Sequence, residues 1–449
     1  MIPLLYLNNP DQRQRVEKLL SDLRLDPANA VLERGERIEQ DRVVRQIMAD
    51  LAKRGDPALI DSSRKFDDPS FTGTQLQVTP AEMAAAAGRL PLGELAALRR
   101  SIKQVREYQT HIMPRDPAPL RREGLELGMR FTPLQSVGLL VPGGKAAYPS
   151  SVIMLAVPAQ VAGVKRIVVC SPPSRYGQSD IVLAAYHELG LTEVFRAGGA
   201  AAVAALGLGT QSIRPVDKIV GPGNVYVQLA KQALAGCVGI DGFLGPSEIL
   251  TLADESANPA AVAADLLAQA EHDPGSCFLL TDSPRLAQAV IDQIGRQGAK
   301  LQRLAAIERA LEHHSAIIVG STIDELIVLA DRFAAEHVSL QTRDNPAVLR
   351  KLQNAGAVFI GPFSPVAAGD YIAGPSHCLP TNTTARFCSG VSVYEFLKRS
   401  SVVRYDAASL AADSPHIIAL ATAEHLDGHA ASISIRAAIA ETPPSKNAI

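Results

Sequence analysis

The chain has 449 residues, of which 44 are Lys or Arg and 46 are Asp or Glu, so its formal net charge is −2. Such a balance offers no basic face, and neither nucleic acid nor an anionic membrane is expected as a partner. The length and the 47% of hydrophobic residues predict a globular protein of two or more domains without a membrane span. Five cysteines without CxxC spacing, and no signal-peptide pattern, predict free thiols and a cytoplasmic protein.

The first 130 residues carry a mainly helical pattern. Apolar positions recur three or four apart over residues 43–54 and 91–111. A proline-rich connector at residues 114–119 then predicts a domain boundary near 125–135.

Strands and helices are predicted to alternate from there. The strands lie at 136–141, 166–170, 193–197 and 218–220, and helices follow at 150–162, 180–189, 200–206 and up to 235. This alternation predicts a parallel, doubly wound sheet. Three of the strands end in glycine turns, which suit phosphate groups but equally suit any tight strand–helix turn; the turns begin at Gly143, Gly198 and Gly221.

A second round of alternation follows, with strands at 249–252, 277–280, 316–319 and 357–360. From residue 385 the alternation stops. The remaining tail of strand and helix is too small to form its own core, so it must dock on another surface. The pattern therefore predicts an α/β fold with two doubly wound, Rossmann-like parallel-sheet domains and a small C-terminal tail.

Candidate chemical groups are concentrated in the second half of the chain. Gln269 and His272 stand three apart at the end of a helical pattern, on one predicted face. Glu336 and His337 are adjacent and could act as a water-activating base and a proton shuttle. Each pair, taken alone, is explained as well or better by a hydrogen-bonded or solvated helix end.

Two further groups extend this set. Asp370 is predicted in a loop after a strand, seven residues before His377. His425 and His429 stand four apart, on one predicted helical face, with Glu424 beside them. Together, the carboxylates, amide and imidazoles of the second half suit a divalent metal with an acid/base pair next to it.

The order of these groups resembles the histidinol dehydrogenase family over about residues 35–437. Eight motifs carry the resemblance: Ile219-Val-Gly-Pro-Gly-Asn224, Gly245-Pro-Ser-Glu248, Gln269-Ala-Glu-His272, Glu336-His337, Gly369-Asp-Tyr371, His377-x-Leu-Pro-Thr381, Ser389-Gly-x-Ser392, and Glu424 to His429.

The resemblance implies a role for each matching residue. It implies one zinc ion per site, with the ligands Gln269, His272, Asp370 and His429, and the catalytic pair Glu336 and His337. It further implies substrate contacts from the zinc ligands and from Ser247, His377 and Glu424. Asn224, Leu140 and Ala201 match positions on the NAD side, although the family usually has Tyr and Gln in place of Leu140 and Ala201.

The resemblance also implies an activity and an assembly. The family oxidises L-histidinol through L-histidinal to L-histidine with NAD, the last steps of histidine biosynthesis. Its members are homodimers in which the swapped C-terminal tail of each chain completes the partner's site. The implied division is an N-terminal arm (1–24), a metal-carrying catalytic domain (25–130 and 237–385), a nucleotide-side domain (131–236) and the docking tail (386–449).

Other functions remain open at this stage. A family paralogue could oxidise another polar alcohol with altered cofactor binding, because Leu140 and Ala201 depart from the pattern. A zinc-dependent hydrolase would use the same ligands with a Glu–His pair, and a binding protein could keep the fold without turnover. Cys378, beside His377, could hold the aldehyde covalently, although no helix N-terminus marks it as activated.

Overall fold

The computed structural model describes residues 2–24, 36–144, 146–242, 245, 247–272 and 275–441. Its strands are β1 (Leu4–Tyr6), β2 (Leu120–Arg122), β3 (Leu125–Pro133), β4 (Ser136–Leu140), β5 (Arg166–Ser171), β6 (Glu193–Arg196), β7 (Lys218–Val220), β8 (Gly239–Ile240), β9 (Ser247–Ala253), β10 (Gly275–Thr281), β11 (Ala316–Val319), β12 (His337–Gln341), β13 (Ala357–Ile360) and β14 (Leu397–Tyr405).

The α-helices are α1 (Pro10–Leu23), α2 (Glu36–Arg54), α3 (Asp56–Phe66), α4 (Pro80–Arg89), α5 (Leu92–His111), α6 (Pro149–Ala162), α7 (Asp180–Glu188), α8 (Gly199–Leu208), α9 (Val225–Leu234), α10 (Pro259–Ala270), α11 (Pro284–Gly298), α12 (Leu304–His313), α13 (Ile323–Phe333), α14 (Asn345–Lys351), α15 (Val366–Tyr371), α16 (Ala407–Ala423) and α17 (Asp427–Glu441). Short 3-10 turns lie at Gly73–Gln75, Thr384–Arg386 and Val393–Phe396. None of the helices in the described ranges is long and apolar enough to cross a membrane.

One core is a six-stranded parallel sheet in the order β1-β11-β10-β9-β12-β13. All seven residues of β10 are buried, as expected for a strand covered by helices on both faces. The sequence predicted β9, β10, β11 and β13 but missed β1 and β12. β1 lies at the edge of the sheet and pairs with β11, with Leu5 opposite Ile318.

The second core is a five-stranded parallel sheet in the order β6-β5-β4-β7-β8. The chain runs outward from β4 to β6 and returns to β7 on the other side of β4, so the strand order reverses between β4 and β7. Doubly wound sheets bind ligands at this reversal, beyond the carboxyl ends of the strands. The predicted α/β fold with two parallel sheets is therefore confirmed.

Two of the helices that cover the five-stranded sheet, α6 and α8, are buried on nearly every side. In α8 each residue from Ala200 to Leu206 is buried, and most of α6 is buried as well. Asn224 begins α9: its Oδ1 accepts hydrogen bonds from the backbone N–H groups of Tyr226 and Val227. This capping satisfies two of the donors that a helix leaves free at its N-terminus.

The chain divides into two compact units, and both parallel sheets belong to the first. The second unit consists of Pro114–Pro133 and the chain from Leu397 onward. In it β2, β3 and β14 form an antiparallel sheet, and α16 packs against α17. Leu420, Ile435 and Ile439 on these helices are 68%, 61% and 66% exposed, so this unit presents an uncovered apolar surface.

Candidate active site

The predicted catalytic residues lie at the amino ends of the strands of the six-stranded sheet. Ser247 is the first residue of β9 and His337 the first residue of β12. His337 is in register with Ile249, two residues beyond Ser247. Parallel sheets usually bind ligands at the opposite, carboxyl edge. The sequence pattern gave no indication of this position, since the strand β12 itself was not predicted.

Glu336 is held in place by two hydrogen bonds to a single carboxylate oxygen. Its Oε2 accepts from the hydroxyl of Ser247 at 2.6 Å and from the backbone N–H of Glu248 at 2.8 Å. The residue is buried, with 6% of its surface exposed. Because Oε2 receives both bonds, Oε1 is the oxygen left to accept a proton from a bound water.

His337 is oriented by the main chain of the neighbouring strand. Its Nδ1 lies 3.0 Å from the carbonyl oxygen of Glu248 and 3.3 Å from Oε2 of Glu336. A carbonyl oxygen can only accept, so Nδ1 carries the proton in this bond. Nε2 lies 3.7 Å from Oδ1 of Asp370 and, although buried, has no hydrogen-bond partner among the described residues.

The charges around His337 perturb its protonation. Burial lowers the pKa of His337, but the charge of Glu336 and the contacts with Asp370 outweigh burial and raise it to about 10. Burial also raises the pKa of Asp370, and the nearby imidazoles of His337, His377 and His272 outweigh it and hold the pKa below its usual range. Opposite charges at short distance therefore stabilise each other in this site.

Asp370 lies on the short helix α15, so the prediction that it lies in a loop is wrong. The helix packs close to β13: a Cβ on Gly369 would lie 2.6 Å from Cε1 of Phe359. The ring of Phe359 in turn lies 5.9 Å from the ring of His337, centroid to centroid. Glycine at position 369 therefore allows the helix that carries Asp370 to pack closely against Phe359.

His377 is fixed through both ring nitrogens. Nδ1 lies 2.9 Å from the backbone carbonyl of Asp370, to which it must donate, and Nε2 lies 3.0 Å from the hydroxyl of Ser151. Burial lowers the pKa of His377, which favours the neutral ring and makes Nε2 the acceptor from Ser151. Sequence reasoning missed Ser151, a buried residue in the first turn of α6, after the Gly143-Gly144 turn.

Glu248 is a second residue that sequence reasoning passed over. It is buried, its Oε1 accepts from the backbone N–H of Asn382 at 2.8 Å, and its own backbone contacts both catalytic residues. Burial, with a smaller contribution from the charge of Glu336, raises the pKa of Glu248 to about 8. The motif Gly245-Pro-Ser-Glu248 is the sequence feature that could have identified Glu248 as a site residue.

Gln269 and His272 stand at the end of α10, just before β10. The helix ends at Ala270, and the backbone N–H of His272 donates to the carbonyl of Gln269 at 3.2 Å. Gln269 is 3% exposed, and its Nε2 has no partner in the described part of the chain. No group of three His, Cys, Asp or Glu side chains placed to hold a metal occurs among the described residues.

A cavity of about 530 Å³ opens beside the ring of His337. Its wall includes His337, Asp370 and His377 and is otherwise largely apolar and aromatic, with Tyr108, Phe359 and Tyr394 among its members. A few polar groups in an apolar cavity of this size are typical of a small-molecule site.

The residues of the C-terminal tail belong to the second unit. Glu424 follows the last residue of α16, His425 has a left-handed backbone with φ 59°, and His429 lies in the first turn of α17. The prediction that His425 and His429 share one helical face is therefore wrong, because the turn between the helices falls between them. The site roles predicted for Glu424 and His429 stay predictions.

The residues predicted on the nucleotide side have different environments. Asn224 is exposed at the N-terminus of α9, beyond the carboxyl end of β7. Leu140 and Ala201 are 5% and 2% exposed and pack within the core of the five-stranded sheet. Contact of these three residues with a dinucleotide stays a prediction.

Cys378 is buried, and burial raises the pKa of its thiol well above its usual range. A thiolate is the nucleophilic form of cysteine, so this environment disfavours a covalent role.

The chain is similar to known proteins over nearly its whole length. A family model described as histidinol dehydrogenase matches residues 32–437. The chain is 47% identical to histidinol dehydrogenase of Caulobacter vibrioides over 434 residues, 96% of this chain and 97% of the relative. It is also 47% identical to that of Geobacillus kaustophilus over 400 residues, 89% of this chain and 94% of the relative. The crystal structure of histidinol dehydrogenase from Elizabethkingia anophelis matches with a TM-score of 0.90 at 31% identity, covering 98% of this chain and 99% of that one.

Proposed function

Because the chain belongs to the histidinol dehydrogenase family, we propose that it oxidises L-histidinol through L-histidinal to L-histidine with NAD. The orientation of the buried His337 ring carries the proposal. Its Nδ1 donates to the carbonyl of Glu248. Its Nε2 lies near Asp370 and the cavity and has no hydrogen-bond partner among the described residues. In its neutral form, which a cation bound at Asp370 would favour, an imidazole held by this Nδ1 bond can take a proton from an alcohol at Nε2.

The two oxidations require different groups. In the first, Nε2 of His337 receives the hydroxyl proton of the alcohol while hydride leaves the same carbon. In the second, water must add to the aldehyde before a second hydride can leave. Oε1 of Glu336 would accept the proton of that water, since Ser247 and the backbone of Glu248 occupy Oε2.

We also propose that Gln269, His272, Asp370 and His429 hold a zinc ion. A carboxylate and imidazoles are common zinc ligands. The amide of Gln269 would bind the ion through its Oε1, while its Nε2, which can only donate, has no partner among the described residues. Zinc bound here would supply Lewis-acid chemistry: it would orient a polar amino alcohol and offset the Asp370 charge that raises the pKa of His337.

The tail residues are proposed to come from a second subunit. Of the four proposed ligands, Gln269, His272 and Asp370 belong to the first unit and His429 to the second. The uncovered apolar residues of α16 and α17 (Leu420, Ile435 and Ile439) suit burial against another chain. We propose a homodimer in which the tail of each chain brings His429 and Glu424 to the other chain's site.

The NAD site is proposed at the strand reversal of the five-stranded sheet, around the turn from Gly221 to Asn224. This is where doubly wound sheets bind nucleotides, and the backbone at Gly221 leaves no room for a side chain, since a Cβ would lie 2.4 Å from the carbonyl oxygen of Leu140. The predicted division of the chain into a catalytic part (25–130 and 237–385) and a nucleotide part (131–236) stays a proposal on the same grounds.

The direct test is NADH formation from histidinol, followed by absorbance, with zinc-loaded and chelator-treated protein. The proposal predicts two NADH per histidinol and loss of activity on zinc removal. NADH from another polar alcohol but not from histidinol would favour a paralogue. Hydrolysis of acyl substrates without any NADH would favour a hydrolase and overturn the proposal.

A further inference from the structure

A buried ion pair lies beside the predicted nucleotide turn. Lys231 on α9 and Asp241, just after β8, contact each other through Nζ and Oδ1, and both side chains are fully buried. Isolated buried charges are costly, and a well-packed apolar pair of similar volume is often as stable or more stable. The position of this pair therefore calls for a reason other than stability.

Both side chains also bind the same glycine. Nζ of Lys231 donates to the carbonyl of Gly221 at 3.2 Å, and Oδ2 of Asp241 accepts from the backbone N–H of Gly221 at 2.6 Å. The two polar groups of this one peptide position are thus held by the two partners of the ion pair. A shift of the turn would break these bonds inside a region that water does not reach.

Gly221 is the first residue of the turn that follows β7. Its φ of 128° is unfavourable for any residue with a side chain, and its backbone lies against the carbonyl of Leu140 at the end of β4. Three residues later Asn224 begins α9, the helix that carries Lys231. The pair thus connects the end of β7, the turn and the helix after it.

We propose that Lys231 and Asp241 are positioning residues that hold the turn from Gly221 to Asn224 in the shape that receives NAD. Both are too deeply buried to contact the cofactor, so they act through Gly221. The inference rests on the proposed function, because it requires NAD to bind at this turn.

The test measures NAD affinity directly, by isothermal titration calorimetry on the zinc-loaded full-length protein, with histidinol affinity and the melting temperature alongside. The variant Lys231→Met/Asp241→Leu removes both charges together, so that none is left unpaired, and removes both bonds to Gly221. We expect NAD affinity to fall roughly tenfold or more, while histidinol affinity changes by less than about twofold.

A graded variant keeps the test informative if the leucine variant does not fold. In Lys231→Met/Asp241→Asn the Asn oxygen can still accept from the Gly221 N–H, and only the Lys231 bond is lost. Its NAD affinity should fall by roughly threefold, between wild type and the leucine variant. An unchanged NAD affinity in this folded variant would overturn the inference.

The same sheet offers a matched control at its opposite edge. Arg166 and Glu193 form an ion pair at the amino ends of β5 and β6, and Arg166 also donates to backbone carbonyls there. The variant Arg166→Met/Glu193→Gln should lower the melting temperature and leave NAD affinity within about twofold.

Equal losses of NAD affinity in the two sets of variants, or equal losses for NAD and histidinol, would show a general structural role and overturn the inference. Wild-type protein that does not bind NAD at all would overturn the proposed function and, with it, the inference. Wild-type binding that the Lys231 and Asp241 variants leave intact would overturn the inference alone.

Discussion

Replacement of Glu336 by Gln is expected to separate the two oxidations. The side chain keeps its size, and the amide oxygen can take the place of Oε2, where it accepts from Ser247 and from the N–H of Glu248. The NH₂ group then takes the place of Oε1. A donor stands where an acceptor is needed, so the variant can no longer take a proton from the water that attacks the aldehyde.

The size of the effect follows from what is lost. A positioned general base contributes typically about 10²- to 10⁴-fold, so oxidation of histidinal should fall by roughly that factor. Each hydrogen bond to the former carboxylate weakens by about 1 kcal/mol when its acceptor loses the charge. Removal of that charge also relieves its effect on Glu248, whose pKa it raises, so we expect the variant to remain folded.

Oxidation of histidinol should suffer less, because Nε2 of His337 and its bond from Nδ1 to the Glu248 carbonyl remain. The assay is NADH formation with histidinol and, separately, with histidinal, at saturating NAD. His337→Ala is the companion variant and should impair both substrates. Equal losses on histidinol and histidinal in Glu336→Gln would refute the division of labour between the two residues.

Two further changes test the metal and the packing of the site. His272→Ala and Asp370→Ala should each lose most of the bound zinc, as measured by metal analysis of the purified protein. Undiminished zinc in both would remove them from the ligand set. Gly369→Ala would place a Cβ 2.6 Å from the ring of Phe359, so the ring that lies against His337 must move. We expect the free energy of unfolding to fall by about 1–3 kcal/mol and kcat to fall as well. A variant with wild-type stability and kcat would show that the ring has room to shift.

The sequence predicted best those strands whose apolar residues are followed directly by a glycine. The strands Lys218–Val220, Ala316–Val319 and Ala357–Ile360 have the predicted bounds. β12 was missed because His337, Ser339 and Gln341 interrupt its apolar residues, yet all five of its residues are buried. The polar side chains of Ser339 and Gln341 are hydrogen-bonded inside the protein. Nε2 of Gln341 donates to the hydroxyl of Ser339 at 3.1 Å and to the carbonyl of Gly361 at 3.0 Å.

The geometry of the site depends on pairings that are remote in sequence. Ser247 and Glu336 are 89 residues apart, and Ser151 and His377 are 226 residues apart. No local pattern records such contacts, so single-sequence reasoning could name the groups through their motifs but not the bonds that orient them. The position of the site at the amino edge of one sheet follows from the same long-range pairings.

The proposed composite site can be tested by mixing two inactive variants. If each site takes His337 from one chain and His429 from the other, a mixed dimer of His337→Ala and His429→Ala has one site with both lesions and one site with neither. Random reassembly of equal amounts makes about half of the dimers mixed, and half of the sites in each mixed dimer are intact, so activity should return to roughly a quarter of wild type by the symmetry of a two-fold dimer. If the tail instead completes the site of its own chain, every site in the mixture carries one lesion. Reassembly confirmed by mass spectrometry, without recovered activity, would then show that His429 acts within its own chain.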